Sequence, residues 1–324
     1  MLICNSGNDI PSIPEYNITR LNFHEVPVST TGRRGMAADV SLSLVNSYPI
    51  AITIPPLSFD ILVPNCGRHD SHIRLADATT DIISVNPFED VVVDVGGIVR
   101  ELPKSLLQAC PHSDSSPLDL LLSDYIHGND TTIYVRGSSM PSPETPEWIS
   151  AIMSSITVPV PFPGHTFDKL IKSFTLTDSK FHFPSFFADP DEEPTVSGNI
   201  VVLAGLPKEM NFGVNVTNVK ASADVLYKTK KLGILDLTNW QNATSERIDS
   251  MNGETASLKI QSRIENAPLH ITDEDVLNTL IWKYASGDRI NLKVVALVDV
   301  RLETVLGELE VKGLPAEGVF PVKG

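Results

Sequence analysis

Residues 118–128 read LDLLLSDYIHG and residues 277–287 read LNTLIWKYASG, and the two stretches align without a gap. In both, apolar residues stand at positions i, i+3, i+4 and i+7, which is the stripe of a short helix. Gly128 and Gly287 then follow at the place where a helix ends in a left-handed cap. The shared pattern predicts an internal repeat.

A strand pattern follows the predicted helix in each copy, at residues 131–136 and at residues 291–299. Ile133 and Val135 of the first copy align with Leu292 and Val294 of the second, so the alternation is in phase. The repeat therefore predicts two copies of one β-rich domain, each with a short helix before a late strand.

Short alternating segments elsewhere predict many strands and few helices. Residues 38–44 alternate with period two, and similar patterns recur at residues 57–63, 198–203 and 257–264. This arrangement is typical of antiparallel sandwiches. We expect a mainly β chain with an N-terminal extended segment (1–36), a first sandwich (37–140), a proline-rich linker with a short helix (141–166) and a second sandwich (167–324).

Composition limits the classes of partner. The chain of 324 residues has a net charge of −15 and a sequence pI of about 4.9, with 42% hydrophobic residues. These values describe a globular protein whose acidic surface repels phosphate backbones. We therefore expect no direct nucleic-acid binding.

No stretch approaches the roughly 18–20 apolar residues of a membrane helix. The apolar start, Met1 to Cys4, is too short for a signal peptide. We expect the chain as it stands to be soluble, and either cytosolic or a piece of a longer protein whose targeting segment lies upstream.

Three cysteines, Cys4, Cys66 and Cys110, fit no zinc spacing. Cys66 follows a predicted strand and Cys110 precedes the first repeat helix, so the two could pair in an oxidising compartment or remain free and buried.

The sequons at Asn17, Asn129 and Asn242 are candidate glycosylation sites, whereas the one at Asn215 lies within a predicted strand.

The sequence offers only weak candidates for a metal-binding or catalytic motif. The sequence His69-Asp70-Ser71-His72 resembles part of a metal site, but solvent exposure explains it better. The chain contains neither Gly-x-Ser-x-Gly nor His-Glu-x-x-His. We therefore expect no catalytic residues, no metal, no cofactor and no enzyme activity.

Residues 181–187 read FHFPSFF and concentrate aromatic side chains just before an acidic loop. Phe186 and Phe187 are adjacent and cannot both point inward from a regular strand, so one of them suits a lipid or partner site.

Longer strings carry a family resemblance. Residues 40–49 (VSLSLVNSYP) and 57–61 (LSFDI) resemble the type 2 late-embryogenesis-abundant domain, also called the water-stress and hypersensitive-response domain. Residues 13–23 (IPEYNITRLNF), 159–168 (PVPFPGHTFD) and 207–212 (PKEMNF) are similar to the C-terminal part of large fungal vacuolar membrane proteins. One yeast member of that family is linked to the termination of autophagy.

The resemblance implies two tandem immunoglobulin-like antiparallel β-sandwiches on the lumenal side of the fungal vacuole membrane. It also implies a membrane tether in an upstream segment and protein partners at the vacuole. A lumenal location would suit glycosylation at the sequons and a Cys66–Cys110 disulfide. It supplies no catalytic residues.

Three hypotheses follow. The first is a non-enzymatic lumenal module that acts as a structural or signalling interaction surface. The second is a lipid-binding or lipid-transfer module, which needs an apolar groove of on the order of several hundred Å³. Residues for such a ligand or partner site are Phe186, Phe187, Leu277, Ile281 and Trp282, although Leu277 and Ile281 lie on the repeat stripe and suit a core. The third is a hydrolase with an unrecognised site, which requires clustered groups with shifted pKa values in a cleft.

Overall fold

The computed structural model describes residues 16–28, 32–67, 69–162, 164, 170–182, 193–249 and 255–322. The strands, in chain order, are β1 (Tyr16–Pro27), β2 (Arg34–Leu44), β3 (Ile52–Ile54), β4 (Ser58–Val63), β5 (Ile73–Thr80), β6 (Ile83–Val85), β7 (Val91–Val99), β8 (Thr131–Gly137), β9 (Thr157–Phe162), β10 (Ile171–His182), β11 (Thr195–Gly205), β12 (Met210–Asn211), β13 (Val214–Tyr227), β14 (Lys230–Ile248), β15 (Ser257–Ile271), β16 (Ile290–Thr304) and β17 (Gly307–Val322). The helices are α1 (Lys104–Leu107), α2 (Pro117–Ile126), α3 (Glu147–Ser154) and α4 (Glu274–Ala285). The mainly β class is confirmed.

The chain forms two units that share one strand order. Unit 1 contains residues 1–166 and 209–212, and unit 2 contains residues 167–208 and 213–324. The sheet of unit 1 runs β1-β2-β7-β5-β4-β8-β9, with β12 added beside β1, and that of unit 2 runs β10-β11-β15-β14-β13-β16-β17. Taken in chain order, the seven strands of each unit occupy the same places, so the repeat extends from one helix to the whole topology.

The two repeat helices also end alike. Gly128 and Gly287 have φ of 75° and 74°. In α2 the Gly128 amide donates to the Tyr125 carbonyl over 3.2 Å, and in α4 the Gly287 amide donates to the Tyr284 carbonyl over 3.1 Å. These bonds belong to a Schellman cap, which confirms the predicted left-handed helix ends.

Two predicted boundaries differ from the structure. Residues 16–27, assigned to the N-terminal segment, form β1, which pairs with β2. Residues 157–162, assigned to the linker, form β9, which pairs with β8. Pro159 and Pro161 lack an N–H donor, and β9 tolerates this because, among the described strands, it pairs on one side only.

Each sheet rolls so that its two edges approach. In unit 1 the Tyr16 hydroxyl on β1 donates to the Pro161 carbonyl on β9. In unit 2 a Cβ added to Gly318 on β17 would lie 2.5 Å from the Phe174 ring on β10, so this contact needs glycine. The rolled sheet of unit 2 encloses a core of residues from its strands and from α4, including Leu232, Ile264, Leu269, Leu292 and Leu280.

Among the described residues, no helix has the length and apolar character needed to cross a membrane.

Candidate functional site

The groove between α4 and the sheet of unit 2, where the lipid-binding hypothesis places its site, is nearly filled. Val276 and Leu280 of α4 are buried, and Leu277 and Tyr284 pack against the same core. The remaining space beside Leu277 and Leu292 is about 20 Å³. A lipid site needs on the order of several hundred Å³, so this groove has no room for one.

The described residues of the predicted apolar site, Leu277, Ile281 and Trp282, do not share one side of α4. Leu277 faces the core, whereas Ile281 and Trp282 lie on the outer side of α4, with exposed fractions of 36% and 76%. Phe186 and Phe187 lie outside the described residues. The outer side of α4 therefore offers Ile281 and Trp282 as an apolar contact surface.

A second space lies inside the rolled sheet of unit 2. It is a cavity of about 90 Å³ lined by residues from all seven strands, with an apolar wall. Alanines face it at several points where larger side chains would fill it: Ala204, Ala221, Ala223, Ala296 and Ala316. Because an apolar cavity of roughly 150 Å³ is known to admit benzene, this one suits only a very small apolar ligand.

Cys66 and Cys110 form a disulfide with a Cα–Cα distance of 5.5 Å. That distance lies within the usual range for a disulfide, about 4.4–6.8 Å. The bridge joins the loop after β4 to the segment just before α2. In that segment the Cys110 carbonyl accepts the Ser113 amide, and the Ser116 side chain caps α2. It therefore fixes the approach to the repeat helix of unit 1.

The three candidate glycosylation sites are exposed. Asn17 lies on β1, Asn129 follows Gly128 in the cap of α2, and Asn242 lies on β14. Asn215, on β13, is exposed as well, and its side chain accepts the Ser245 hydroxyl over 3.0 Å. A glycan on any of the first three would project into solvent.

A histidine of unit 2, His270, lies between two carboxylates. His270 Nδ1 lies 2.6 Å from Glu193 Oε2, and its Nε2 lies 3.8 Å from Asp236 Oδ2. The hydrogen bond with Glu193 raises the pKa of His270. Hydrogen bonds from Thr238 lower the pKa of the Asp236 carboxyl. The group lies on the surface rather than in a cleft, so it does not resemble a hydrolytic site.

An ion cluster around the buried carboxylate of Asp60 links three strands of unit 1. Asp60 on β4 is 4% exposed, and its carboxylate lies 3.1 Å from Arg74 on β5 and 3.2 Å from Arg136 on β8. Arg74 also contacts Asp77. These charges neutralise one another across adjacent strands, which favours a structural role.

The predicted weak metal motif does not form a site. The His72 ring stacks on Tyr134 with the centroids 3.7 Å apart. Within the described part of the chain, no group of three or more His, Cys, Asp or Glu residues is placed to hold a metal ion.

Sequence reasoning missed an exposed apolar cluster in unit 1, which we call the apolar tip. It comprises Val45, Tyr48, Ile50, Ile52 and Phe88, each more than half exposed. The β2–β3 loop, the first residue of β3 and the β6–β7 loop carry it. The two loops are joined where the Phe88 amide donates to the Tyr48 carbonyl over 3.1 Å. The run YPIAITI at residues 48–54 is the signal that could have identified it, but it reads equally well as a buried strand.

Comparison with known proteins gives one family match. Residues 210–323 match the model of the Tag1 C-terminal domain. This range contains α4 with most of the sheet of unit 2, and it begins with the two residues of β12 in unit 1. No curated protein matches the chain.

Solved structures give only slight likenesses. The partial N-terminal region of the enterococcal surface protein is 9% identical, with 99% of this chain and 98% of that chain covered and a TM-score of 0.15. The B domain of a biofilm-associated protein is 10% identical, with 94% and 85% covered and a TM-score of 0.15. At these TM-scores the likeness bears on neither the fold nor the function.

Proposed function

We propose that the chain is a non-enzymatic lumenal module of a fungal vacuolar membrane protein, and that it acts as an interaction surface. The observation that carries the proposal is the placement of apolar side chains on α4. Packing between the inner side of α4 and the sheet leaves a space of only about 20 Å³, whereas the Trp282 side chain on the outer side is 76% exposed. Binding through α4 therefore uses its outer side.

The family match supports this choice of surface. Residues 210–323, which match the Tag1 C-terminal domain, contain the whole of α4. Tryptophan is enriched among the residues that dominate binding energy at protein interfaces. Trp282 and Ile281 together supply an aromatic anchor with an aliphatic neighbour.

The lumenal location is supported by covalent chemistry. A disulfide between Cys66 and Cys110 persists in oxidising compartments, and the sequons at Asn17, Asn129 and Asn242 are exposed to a glycosyltransferase. A membrane tether would lie in a segment upstream of this chain.

The interaction surface is tested by quantitative cross-linking in a fungal host. The variant Trp282→Ser should lose specific cross-linked partners while its thermal stability stays unchanged. The matched control is Leu297→Ser, which removes a side chain on β16 that is 62% exposed. An identical set of partners for Trp282→Ser and the unaltered chain would contradict the proposal.

The location is tested separately. After expression behind the upstream membrane segment, glycosidase treatment should increase the gel mobility of the protein, and Asn129→Gln should remove part of that shift. A chain without glycans and with three free thiols would contradict a lumenal location and leave the α4 surface untouched.

A second candidate function is binding of a small apolar ligand inside unit 2. The apolar cavity of about 90 Å³ favours it. Native mass spectrometry in the presence of benzene tests it: a stoichiometric bound molecule supports the candidate, and a clean apo mass contradicts it.

A further inference from the structure

The apolar tip of unit 1 is a rigid projection rather than a loose loop. Besides the bond between Phe88 and Tyr48, the Asn46 side-chain amide donates to the Asn86 carbonyl over 2.7 Å. The Asn46 side-chain oxygen in turn accepts the Tyr48 amide over 3.0 Å. The two loops therefore hold Tyr48 and Phe88 in fixed positions at the end of the sheet.

Phe88 is held at a cost in backbone energy. Its φ is 57°, in the left-handed region that large side chains rarely adopt. Strain of this kind persists where the surroundings impose it, and it clusters at functional positions. The side chain is 67% exposed, so it gives little packing energy in return. The strained position displays an aromatic ring to the outside.

The charges around the tip restrict what can cover it. Residues 45–67 and 75–99 contain no lysine or arginine. Glu89 and Asp90 follow Phe88, and the Asn86 side-chain amide donates to the Glu89 carboxylate over 2.9 Å. Acidic groups in segments that contain no lysine or arginine repel anionic lipids, nucleic acids and a second copy of this chain with its net charge of −15.

A zwitterionic bilayer complements these features. Its outermost group is a quaternary ammonium, which carboxylates attract and aromatic faces bind. Below it lies the headgroup boundary, where Tyr and other aromatic side chains settle with their apolar parts inward. We propose that the apolar tip of unit 1 inserts into the surface of a phosphatidylcholine-type bilayer, with Tyr48, Phe88 and the isoleucines as the inserting groups.

This proposal does not depend on the α4 surface of unit 2. It gives unit 1 a contact of its own with lipid, and it requires no cavity. Glu89 and Asp90 would lie at the level of the choline groups, where their charge is compensated.

Vesicle flotation tests the proposal on the full chain. The unaltered protein should float with phosphatidylcholine vesicles, and replacing part of that lipid by phosphatidylserine should weaken the binding. The double variant Tyr48→Ser, Phe88→Asn should bind more than about tenfold more weakly, because two buried aromatic side chains are worth at least that factor. Asparagine tolerates the left-handed backbone, so this variant keeps the fold.

The matched control is Trp148→Ser, on α3 of the same unit, whose side chain is also 67% exposed. It should float like the unaltered protein. Failure of the unaltered chain to float, stronger binding to phosphatidylserine vesicles, or equal binding by the double variant would each overturn the proposal. So would a self-association that the double variant abolishes, since the tip would then join two copies.

Discussion

Gly128 and Gly287 occupy equivalent positions in the two units, each ending its repeat helix with a positive φ. Around Gly287 a new Cβ would meet no atom within 4 Å, so a substitution there tests the backbone conformation alone. We expect Gly287→Ala to lower the free energy of unfolding by about 1–2 kcal/mol, the usual cost of a left-handed L-residue.

Gly287→Asn should cost less, because asparagine is enriched in this conformation. Chemical denaturation of the three proteins checks the order. An alanine variant as stable as the glycine form would contradict the cap assignment.

The disulfide of unit 1 should contribute to stability. The residues joined by Cys66–Cys110 are separated by 44 positions, and closing a loop of this length in the unfolded chain is worth about 4 kcal/mol in the chain-entropy model. Cys66→Ala, Cys110→Ala should therefore lower the melting temperature of unit 1, with Cys4→Ser as the silent control.

Non-reducing peptide mapping gives the direct test. One linked peptide containing Cys66 and Cys110, with Cys4 free, is expected. Free thiols at both positions would contradict the pairing.

His270 should make unit 2 more stable at acidic pH. Its pKa is raised in the folded state, chiefly by the hydrogen bond with Glu193, so the folded protein binds the proton more tightly than the unfolded chain. The contribution is complete below the unfolded pKa of about 6.5 and is lost as the pH rises through the folded value.

Thermal melts across this pH range compare the unaltered chain with His270→Gln, and His182→Gln on β10 serves as the control. The difference in melting temperature should shrink as the pH rises. A difference that is constant with pH would show that the Glu193 contact adds no proton linkage.

Filling the cavity of unit 2 should stabilise it if the cavity is empty. Ala223 is 3% exposed and lines the cavity, so Ala223→Val should add about 1 kcal/mol by burying more carbon, a rise of roughly 3 °C in melting temperature.

Ala267→Val is the matched control, because Ala267 is buried in the same core but does not line the cavity. Overpacking there should cost about 1–3 kcal/mol. Equal destabilisation by both variants would indicate that the cavity is already occupied or closed.

The features that sequence predicted correctly are local ones. Three of the four stripe residues, Leu277, Leu280 and Tyr284, face the core because helical periodicity is fixed by neighbours three or four residues apart. The fourth, Ile281, was also expected to suit the core, but it is 36% exposed. Asp273, a residue type favoured at helix starts, caps α4 by accepting the Val276 amide over 3.0 Å. Strands β2, β4, β11 and β15, which contain the alternating segments, likewise follow from patterns within short stretches.

Predictions from sequence failed where a strand or side chain depends on segments that are distant along the chain. Nothing near Pro159 indicates that β9 pairs with β8, because an edge position depends on the order of the whole sheet. The apolar run at residues 48–54 reads as a buried strand, yet Tyr48, Ile50 and Ile52 are exposed because no part of the chain that the structure describes covers them.

By itself, the sequence determined the duplication, the mainly β class and the glycine-capped helices, since each rests on periodicity or on a single residue's backbone freedom. Only the tertiary structure decided that the groove beside α4 is filled, that Trp282 faces outward, that His270 meets Glu193, and that Tyr48 and Phe88 form one tip. The physical reason is that exposure and contact depend on which distant segments pack together, and local patterns do not specify that choice.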